Sequence, residues 1–284
     1  MMSIFGESVP FHKMQGCGND FVVIDNRSVH VPEAAMADWA RKICARAFGV
    51  GADGIFFLDD AQDPAQDYRW HFFNSDGSRA EMCGNASRCA GKLAHALGLA
   101  PAEHVFGTDA GPIRAKVLLD GPDAGRVRVR LTPPKGIETG ISLNVDAAPM
   151  TVHFADTGVP HAVVLVDDVA SVNVRELGRK LRFHERFAPA GTNVNFAQIK
   201  DRSTLLLRTY ERGVEDETYA CGTGACATQL VAHTLGLTDA RADLTTTGGE
   251  VLTVILDDGE IHLQGAAELT FKGELYLKPL GLKR

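Results

Sequence analysis

Cys83-Gly84-Asn85-Ala86-Ser87-Arg88-Cys89-Ala90-Gly91-Lys92-Leu93-Ala94-His95-Ala96-Leu97-Gly98-Leu99 has a second version in the same chain, Cys221-Gly222-Thr223-Gly224-Ala225-Cys226-Ala227-Thr228-Gln229-Leu230-Val231-Ala232-His233-Thr234-Leu235-Gly236-Leu237. Each opens on Cys-Gly and closes on His-x-Leu-Gly-Leu, at an offset of 138. The register continues without a gap through Thr108 and Thr246, Gly111 and Gly249, Leu118 and Leu256, and Asp120-Gly121 and Asp258-Gly259. From Cys83 to Gly121, 13 of 39 positions are identical, too ordered a series for chance matches of helix formers. Upstream, Arg41-Lys42-Ile43 meets Arg179-Lys180-Leu181 at 138, while Gly18, Gly51 and Phe56 meet Gly158, Gly191 and Phe196 at 140. A period near half the 284-residue length implies two similar domains, 1–140 and 141–284. The boundary falls around 133–148, where Pro133-Pro134-Lys135-Gly136 reads as the start of a linker. The tail from about Phe271 is left over by this division and is a candidate to complete the first half.

Each half reads as strands, a helix, strands, a second helix and more strands. Phe21–Ile24 and Ala162–Val166 are apolar runs of strand length, and Glu33–Ala47 and Val174–Phe187 have the period of amphipathic helices. Gly84–Leu97 carries Cys89, Ala90, Leu93, Ala94 and Leu97 at spacings of three and four, with Gly98 as its stop. Gly222–Leu235 is built alike and stops at Gly236. Arg126–Leu131 and Val251–Leu256 read as half-buried strands. The expected fold is mixed α/β: two pseudo-symmetric domains, each a mixed sheet or barrel wrapped around a central helix.

Composition narrows the function classes. Hydrophobic residues at 45% and charged residues at 23% belong to a globular enzyme rather than a disordered chain. A net charge of −7 argues against nucleic acid or an anionic membrane as partner. The N-terminal stretch Met1–Pro10 has no cationic run followed by an apolar one, and no window approaches the roughly 18 apolar residues of a membrane span. Six cysteines are too few for a disulfide scaffold. The expectation is a cytoplasmic enzyme with reduced thiols and a small-molecule substrate.

The repeat places Cys83 and Cys221 at equivalent helix entrances, each before a glycine that lets a ligand approach the backbone. A helix start presents unpaired N–H groups and a partial positive charge, which lowers a thiol pKa from about 8.5 toward neutrality and can hold a carboxylate. Two such thiols across one cleft suit the inversion of a stereocentre: one thiolate removes an α-proton while the opposite thiol delivers a proton to the other face. Cys17, Cys44, Cys89 and Cys226 read as small core residues. Zinc is a competing reading, but Cys83-x5-Cys89 and Cys221-x4-Cys226 lack the short paired spacing of structural zinc sites. A disulfide between Cys83 and Cys221 is chemically open, though not the expected resting state in a reducing compartment.

Four blocks in order carry a resemblance: Lys13-Met14-Gln15-Gly16-Cys17-Gly18-Asn19-Asp20-Phe21; Phe73-Asn74-Ser75-Asp76-Gly77 leading to Met82-Cys83-Gly84-Asn85; Gly191-Thr192-Asn193-Val194-Asn195-Phe196; and Tyr210-Glu211-Arg212-Gly213 leading to Ala220-Cys221-Gly222-Thr223-Gly224-Ala225-Cys226. From Phe11 to Leu277 the chain resembles the diaminopimelate epimerases, a cofactor-independent two-cysteine family of bacterial lysine and peptidoglycan precursor synthesis. The resemblance implies epimerisation of LL-2,6-diaminopimelate to the meso form by Cys83 and Cys221, with no cofactor and no metal. It implies that Asn19, Asn74, Asn193 and Arg212 recognise the non-reacting end of the substrate, and that the N–H groups of Gly84, Asn85, Gly222 and Thr223 hold the reacting carboxylate. His161 and Glu211 resemble the pair that tunes the two thiols, and Glu211 could also accept from an ammonium. Relatives are often homodimers. Proline and hydroxyproline racemases share the two-cysteine logic but usually carry His where this chain has Asn85, and phenazine-synthesis isomerases of the same fold lack the cysteine pair. Two positions depart from the family pattern, Val159 where Asn is frequent and Gly54 where Gln is frequent, and both touch substrate binding rather than the cysteines. A zinc- or redox-binding protein with structural thiols is the reading from another class.

Overall fold

The computed structural model describes residues 6–146 and 148–284. The chain forms two compact units: one runs up to Val129 and takes in Ala266–Arg284, and the other is Arg130–Gly265. The first contains β1 (Ser8–Gly16), β2 (Asn19–Asp25), the short α1 (Asn26–Val29), α2 (Glu33–Ile43), β3 (Gly54–Asp60), β4 (Tyr68–Asn74), α3 (Gly84–Ala96), β5 (Glu103–Thr108), β6 (Gly111–Val117) and β7 (Val127–Arg130). The second contains β8 (Gly136–Val145), β9 (Ala148–Asp156), β10 (Pro160–Leu165), α4 (Val174–Arg182), β11 (Asn193–Ile199), β12 (Thr204–Glu211), β13 (Asp216–Thr218), α5 (Gly222–Thr234), β14 (Arg241–Thr245), β15 (Val251–Asp257) and β16 (Glu260–Gly265). The last strand, β17 (Glu268–Tyr276), pairs antiparallel with β1 in the first unit.

Strand pairing is the same in both. Along the first sheet, β17–β1 and β1–β2 are antiparallel, β2–β3 parallel, β3–β4 antiparallel, β4–β5 parallel, and β5–β6 and β6–β7 antiparallel. Along the second, β8–β9 and β9–β10 are antiparallel, β10–β11 parallel, β11–β12 antiparallel, β12–β14 parallel, and β14–β15 and β15–β16 antiparallel. Each parallel step follows a helix, because parallel neighbours require a crossover. β17 therefore holds in the first unit the position that β8 holds in the second. The residues from Gly136, expected as a linker, form β8 instead, since Gly136–Val145 finds a partner in Ala148–Asp156.

Side-chain alternation sorts each sheet into two faces. Val22 and Ile24 of β2 pack with Met36, Trp39, Ala40 and Ile43 of α2, on the outer side. Phe21, one residue out of phase, meets Phe56 and Phe72, and the ring cluster continues through Trp70 to Phe106. In the second unit Val174 and Leu181 of α4 pack with Ala162, Val164, Val194 and Tyr210, while Val163 turns to Ala227 and Val231 of α5. The period of two along the strands thus feeds two helices, one on each face.

α3 and α5 are enclosed. Gly84 through Gly91 are all buried, and α5 exposes little before its last turn. Small side chains permit this: a Cβ at Gly91 would already lie 3.1 Å from that of Ala115. Both helices end alike. His95 Nδ1 lies 3.2 Å from the Ala100 carbonyl and His233 Nδ1 lies 3.0 Å from that of Thr238, while Gly98 and Gly236 take positive φ. The repeated His-x-Leu-Gly-Leu is thus a helix stop in which the histidine ties down the following turn. The outer helices end earlier than their periodicity predicts. α2 stops at Ile43 rather than Ala47, because the Ile43 carbonyl is taken by the N–H groups of Val50 and Gly51 and Ala47 turns to φ 71°. α4 stops at Arg182, and a separate 3-10 turn, Glu185–Phe187, is capped by His184. Among the described residues no helix is long and apolar enough to cross a membrane.

Gly178 tests the seating of α4. Alanine favours a helix interior by about 1 kcal/mol over glycine, but a Cβ here would lie 2.5 Å from the Tyr210 Cβ. Gly178→Ala is expected to lose about 1–3 kcal/mol of stability in urea unfolding, because overpacking outweighs propensity. A variant as stable as the wild type would contradict this packing.

Candidate active site

Cys83 is the N-cap of α3 and Cys221 the N-cap of α5, both in extended conformation and neither making a capping side-chain hydrogen bond. The first intrahelical bonds run from Ser87 N to Cys83 O at 2.8 Å and from Ala225 N to Cys221 O at 2.9 Å. The N–H groups of the intervening residues, Gly84 to Ala86 and Gly222 to Gly224, precede the helical ladder and have no intrahelical acceptor. Serine, threonine, asparagine or aspartate at an N-cap would consume one of these donors. Cysteine leaves them for an anion and receives the positive end of the helix beside its sulfur.

Around Cys83 the first unit gathers Gly84, Asn85 and Asn19. The Cys83 thiol donates to Asn19 Oδ1 at 3.7 Å, and Asn85 Nδ2 donates to the same oxygen at 3.3 Å. Asn19 Nδ2 donates to Asp53 Oδ2 at 2.6 Å, which fixes the amide with its oxygen toward the thiol. Asn19, expected at the far end of the substrate, thus stands against a thiol. Asn74 closes β4 in the same unit, with its side chain donating to Ser78 Oγ at 3.0 Å. Asp53 is itself held by the Asp20 backbone, and Asp20 pairs with the buried Lys13.

Arg88, which the sequence reading passed over, is fully buried one turn into α3. Its guanidinium donates to Asn85 Oδ1 (2.9 Å), Cys17 Sγ (3.2 Å), Ala266 O (3.2 Å) and Gly84 O (3.3 Å), and no carboxylate among the described residues pairs with it. An unneutralised cation in such a place is costly, and its bonds brace the residues on either side of the helix mouth. Cys17 is therefore more than core filling: it sits in the turn between β1 and β2 with φ 57° and accepts from Arg88. An arginine on a stripe of Gly, Ala, Ser and Cys was the available signal.

In the second unit Thr223 Oγ1 lies 3.6 Å from the Cys221 sulfur, and Thr157 Oγ1 donates to Thr223 O at 3.0 Å. Cys221 is 8% exposed, whereas Cys83 is partly open. His161 and Asn193 face each other across the parallel β10–β11 ladder. Asn193 Oδ1 accepts from Arg212 N at 2.8 Å, and Arg212 directs Nη1 to the Ala190 carbonyl at 3.2 Å. Glu211 ends β12 opposite Asp216. His161 is wholly buried, and burial together with the Arg212 charge pushes its pKa down to about 3, so the ring is neutral at physiological pH. Asn195 Nδ2, 3.1 Å from His161 Nδ1, is a further neighbour that the motif contained but the sequence reading gave no role. Gly54 has its backbone so close to β4 that a Cβ would meet Phe73 O at 2.8 Å, so the departure from Gln belongs with tight strand packing.

This fold is shared with solved structures of distant sequence. A PhzF-family phenazine biosynthesis protein from Bacillus anthracis superposes with TM-score 0.72 at 14% identity, over 95% of this chain and 99% of that one. A probable proline racemase from Agrobacterium radiobacter K84 gives TM-score 0.69 at 15% identity, over 94% and 92%. At such identities the likeness is one of fold. Sequence carries the assignment further: the diaminopimelate epimerase family model matches residues 11–136 and 153–270. The diaminopimelate epimerase of Aquifex aeolicus (strain VF5) is 46% identical over 93% of this chain and 97% of its own length, and that of Archaeoglobus fulgidus is 40% identical over 96% and 98%. The chain belongs to the diaminopimelate epimerase family, and it is an isomerase.

Thiol reactivity separates the cysteines. Burial pushes Cys44 and Cys89 up to about 12, leaving them protonated at pH 8. Iodoacetamide at pH 8 is expected to label Cys83 in the native protein and to reach Cys44 and Cys89 only after unfolding, as read by peptide mass spectrometry. Labelling of Cys89 at the rate of Cys83 would contradict the helix-mouth assignment.

Proposed function

We propose that this enzyme interconverts LL- and meso-2,6-diaminopimelate, for lysine and peptidoglycan precursor synthesis, by two-base chemistry at Cys83 and Cys221. The observation that carries the reading is the pair of equivalent helix N-termini, each with a cysteine at the N-cap position whose side chain makes no capping bond to the helix backbone. In one direction a cysteine thiolate takes the α-proton and becomes a thiol, leaving the electron pair on the α-carbon and its carboxylate. The other thiol gives its proton to the opposite face and becomes a thiolate. No proton or electron is gained or lost, and the reverse reaction exchanges the two roles.

The N–H groups of Gly84, Asn85, Gly222 and Thr223 hold the reacting carboxylate and stabilise the charge that spreads onto it. Asn19, Asn74, Asn193 and Arg212 recognise the substrate's amino acid groups, with the planar Arg212 fork suited to a carboxylate. His161 and Glu211 adjust the thiols, and Glu211 also accepts from an ammonium. We assign the enzyme to the cytoplasm, and as a homodimer, on its family resemblance.

In D₂O, without pyridoxal phosphate or metal, turnover of LL-diaminopimelate is expected to place deuterium at the inverted α-carbon, with proline giving no exchange under the same conditions. A strict requirement for either additive would sink the mechanism. Cys83→Ala and Cys221→Ala are each expected to lose at least about 10²–10⁴-fold in kcat, the usual worth of a positioned acid or base.

Arg212→Met removes a charged hydrogen bond worth about 1.5–3 kcal/mol and is expected to raise KM roughly ten- to hundredfold. An unchanged KM would remove Arg212 from the binding set.

A further inference from the structure

We propose that Asn195 is a positioning residue that holds His161 as the neutral tautomer with its proton on Nε2, making His161 a fixed hydrogen-bond donor in the unit that carries Cys221. The proposal deepens the reading of Cys221 as a reacting thiol and rests on it for its catalytic consequence. The tautomer itself is a property of the protein alone.

The argument begins with the Asn195 amide, which is wholly buried on β11. Nδ2 donates to the Ala162 carbonyl at 3.1 Å, and the same nitrogen lies 3.1 Å from His161 Nδ1. Oδ1 accepts from Thr209 Oγ1 at 3.0 Å. Turning the amide over would set Oδ1 against the Ala162 carbonyl, two acceptors with no proton between them. The orientation is therefore determined by its neighbours. One N–H serves Ala162 and the other meets Nδ1, so Nδ1 must present a lone pair. A neutral imidazole then carries its proton on Nε2, and an imidazolium would oppose N–H to N–H.

The surroundings agree. Across the ladder His161 faces Ala155 on β9 and Asn193 on β11, neither of them titratable, and the charge that acts on the ring is that of Arg212. No carboxylate among the described residues forms an ion pair with His161 that would favour its protonation. Nε2 is buried and has no hydrogen-bond partner among the described residues. A buried donor left open costs stability.

Asn195 also touches the helix that carries the thiol. A Cβ at Gly224 would lie 2.3 Å from Asn195 Oδ1 and 3.3 Å from the Cys221 Cβ. The amide and the cysteine thus flank the same glycine in the first turn of α5, and Gly224 supplies the room.

A neutral donor is what a reversible base needs. An imidazolium near a thiolate would pair with it and hold it in one protonation state. An Nε2–H supports negative charge as it develops on sulfur or on the substrate, and it neither competes as a base nor adds a net charge.

The test reads the tautomer first. In the full-length enzyme with 15N-labelled histidine, the long-range 1H–15N signals lost in His161→Gln identify the ring. Wild type is expected to show a protonated Nε2 and a bare Nδ1, unchanged between pH 5 and 8. A protonated Nδ1, an imidazolium at pH 7, or a midpoint near 6.5 overturns the proposal.

Asn195→Asp replaces the donor at Nδ1 by an acceptor and is expected to move a proton onto Nδ1. It should lower kcat at least tenfold with KM within about threefold. Thr209→Val, which removes only the bond to Oδ1, should shift the same signals in the same direction by less and keeps the proposal decidable if Asn195→Asp does not fold. A folded Asn195→Asp enzyme with protonated Nδ1 and full kcat would overturn the catalytic role. Failure of the D₂O assay with an intact Nε2–H signal would instead fault the substrate or the reacting thiols and leave the tautomer assignment standing.

Discussion

A helix enclosed by a sheet can offer its backbone to a ligand only at its ends, and the N-terminal end offers donors. In both units that end falls on a cysteine that does not cap, so the first-turn N–H groups and the thiol share one spot. Much else follows from this constraint. The helix must be lined with glycine, alanine, serine and cysteine for the sheet to close around it, and its far end must be stopped within one turn, which His95-x-Leu-Gly-Leu99 and His233-x-Leu-Gly-Leu237 accomplish. The two parallel steps in each sheet are the places where a helix can cross over and enter the core.

The units share a topology but not their electrostatics. Around Cys83 stand an asparagine whose Nδ2 donates to Asp53 and whose oxygen faces the thiol, the Lys13–Asp20 pair and the buried Arg88. The position equivalent to Arg88 in the repeat register is Cys226, a buried uncharged residue. The unit that carries Cys221 holds a neutral histidine and an amide network instead. A duplicated scaffold has therefore been furnished twice with different polar groups.

The halves, the cysteines and the helices around them were legible because the repeat compares the chain with itself. A single cysteine reads as a core residue, but two in one register before glycine do not. Helix ends at Ile43 and Arg182 were not legible, since backbone groups from Val50 and Gly51 decide the first and the amphipathic period runs on past both. β8 was missed because Pro133-Pro134 reads as a break, and its pairing with Ala148–Asp156 is set by a partner that follows it. Asn195 stood in plain view in Gly191–Phe196, but its importance comes from Ala162, His161 and Thr209 on other strands.

By itself the sequence determined the duplication, the alternation of strand and helix, the two cysteine-glycine helix entrances and, through four ordered blocks, the family. These are local or self-referential properties, written in spacing and side-chain size. The tertiary structure decided that Glu268–Tyr276 completes the first unit beside β1 and that Arg88 is buried with no carboxylate partner among the described residues. It also decided that the amide of Asn195 dictates which nitrogen of His161 holds the proton. Those outcomes depend on which atoms meet across strands far apart in the chain, and hydrogen-bond direction and desolvation exist only once they have met.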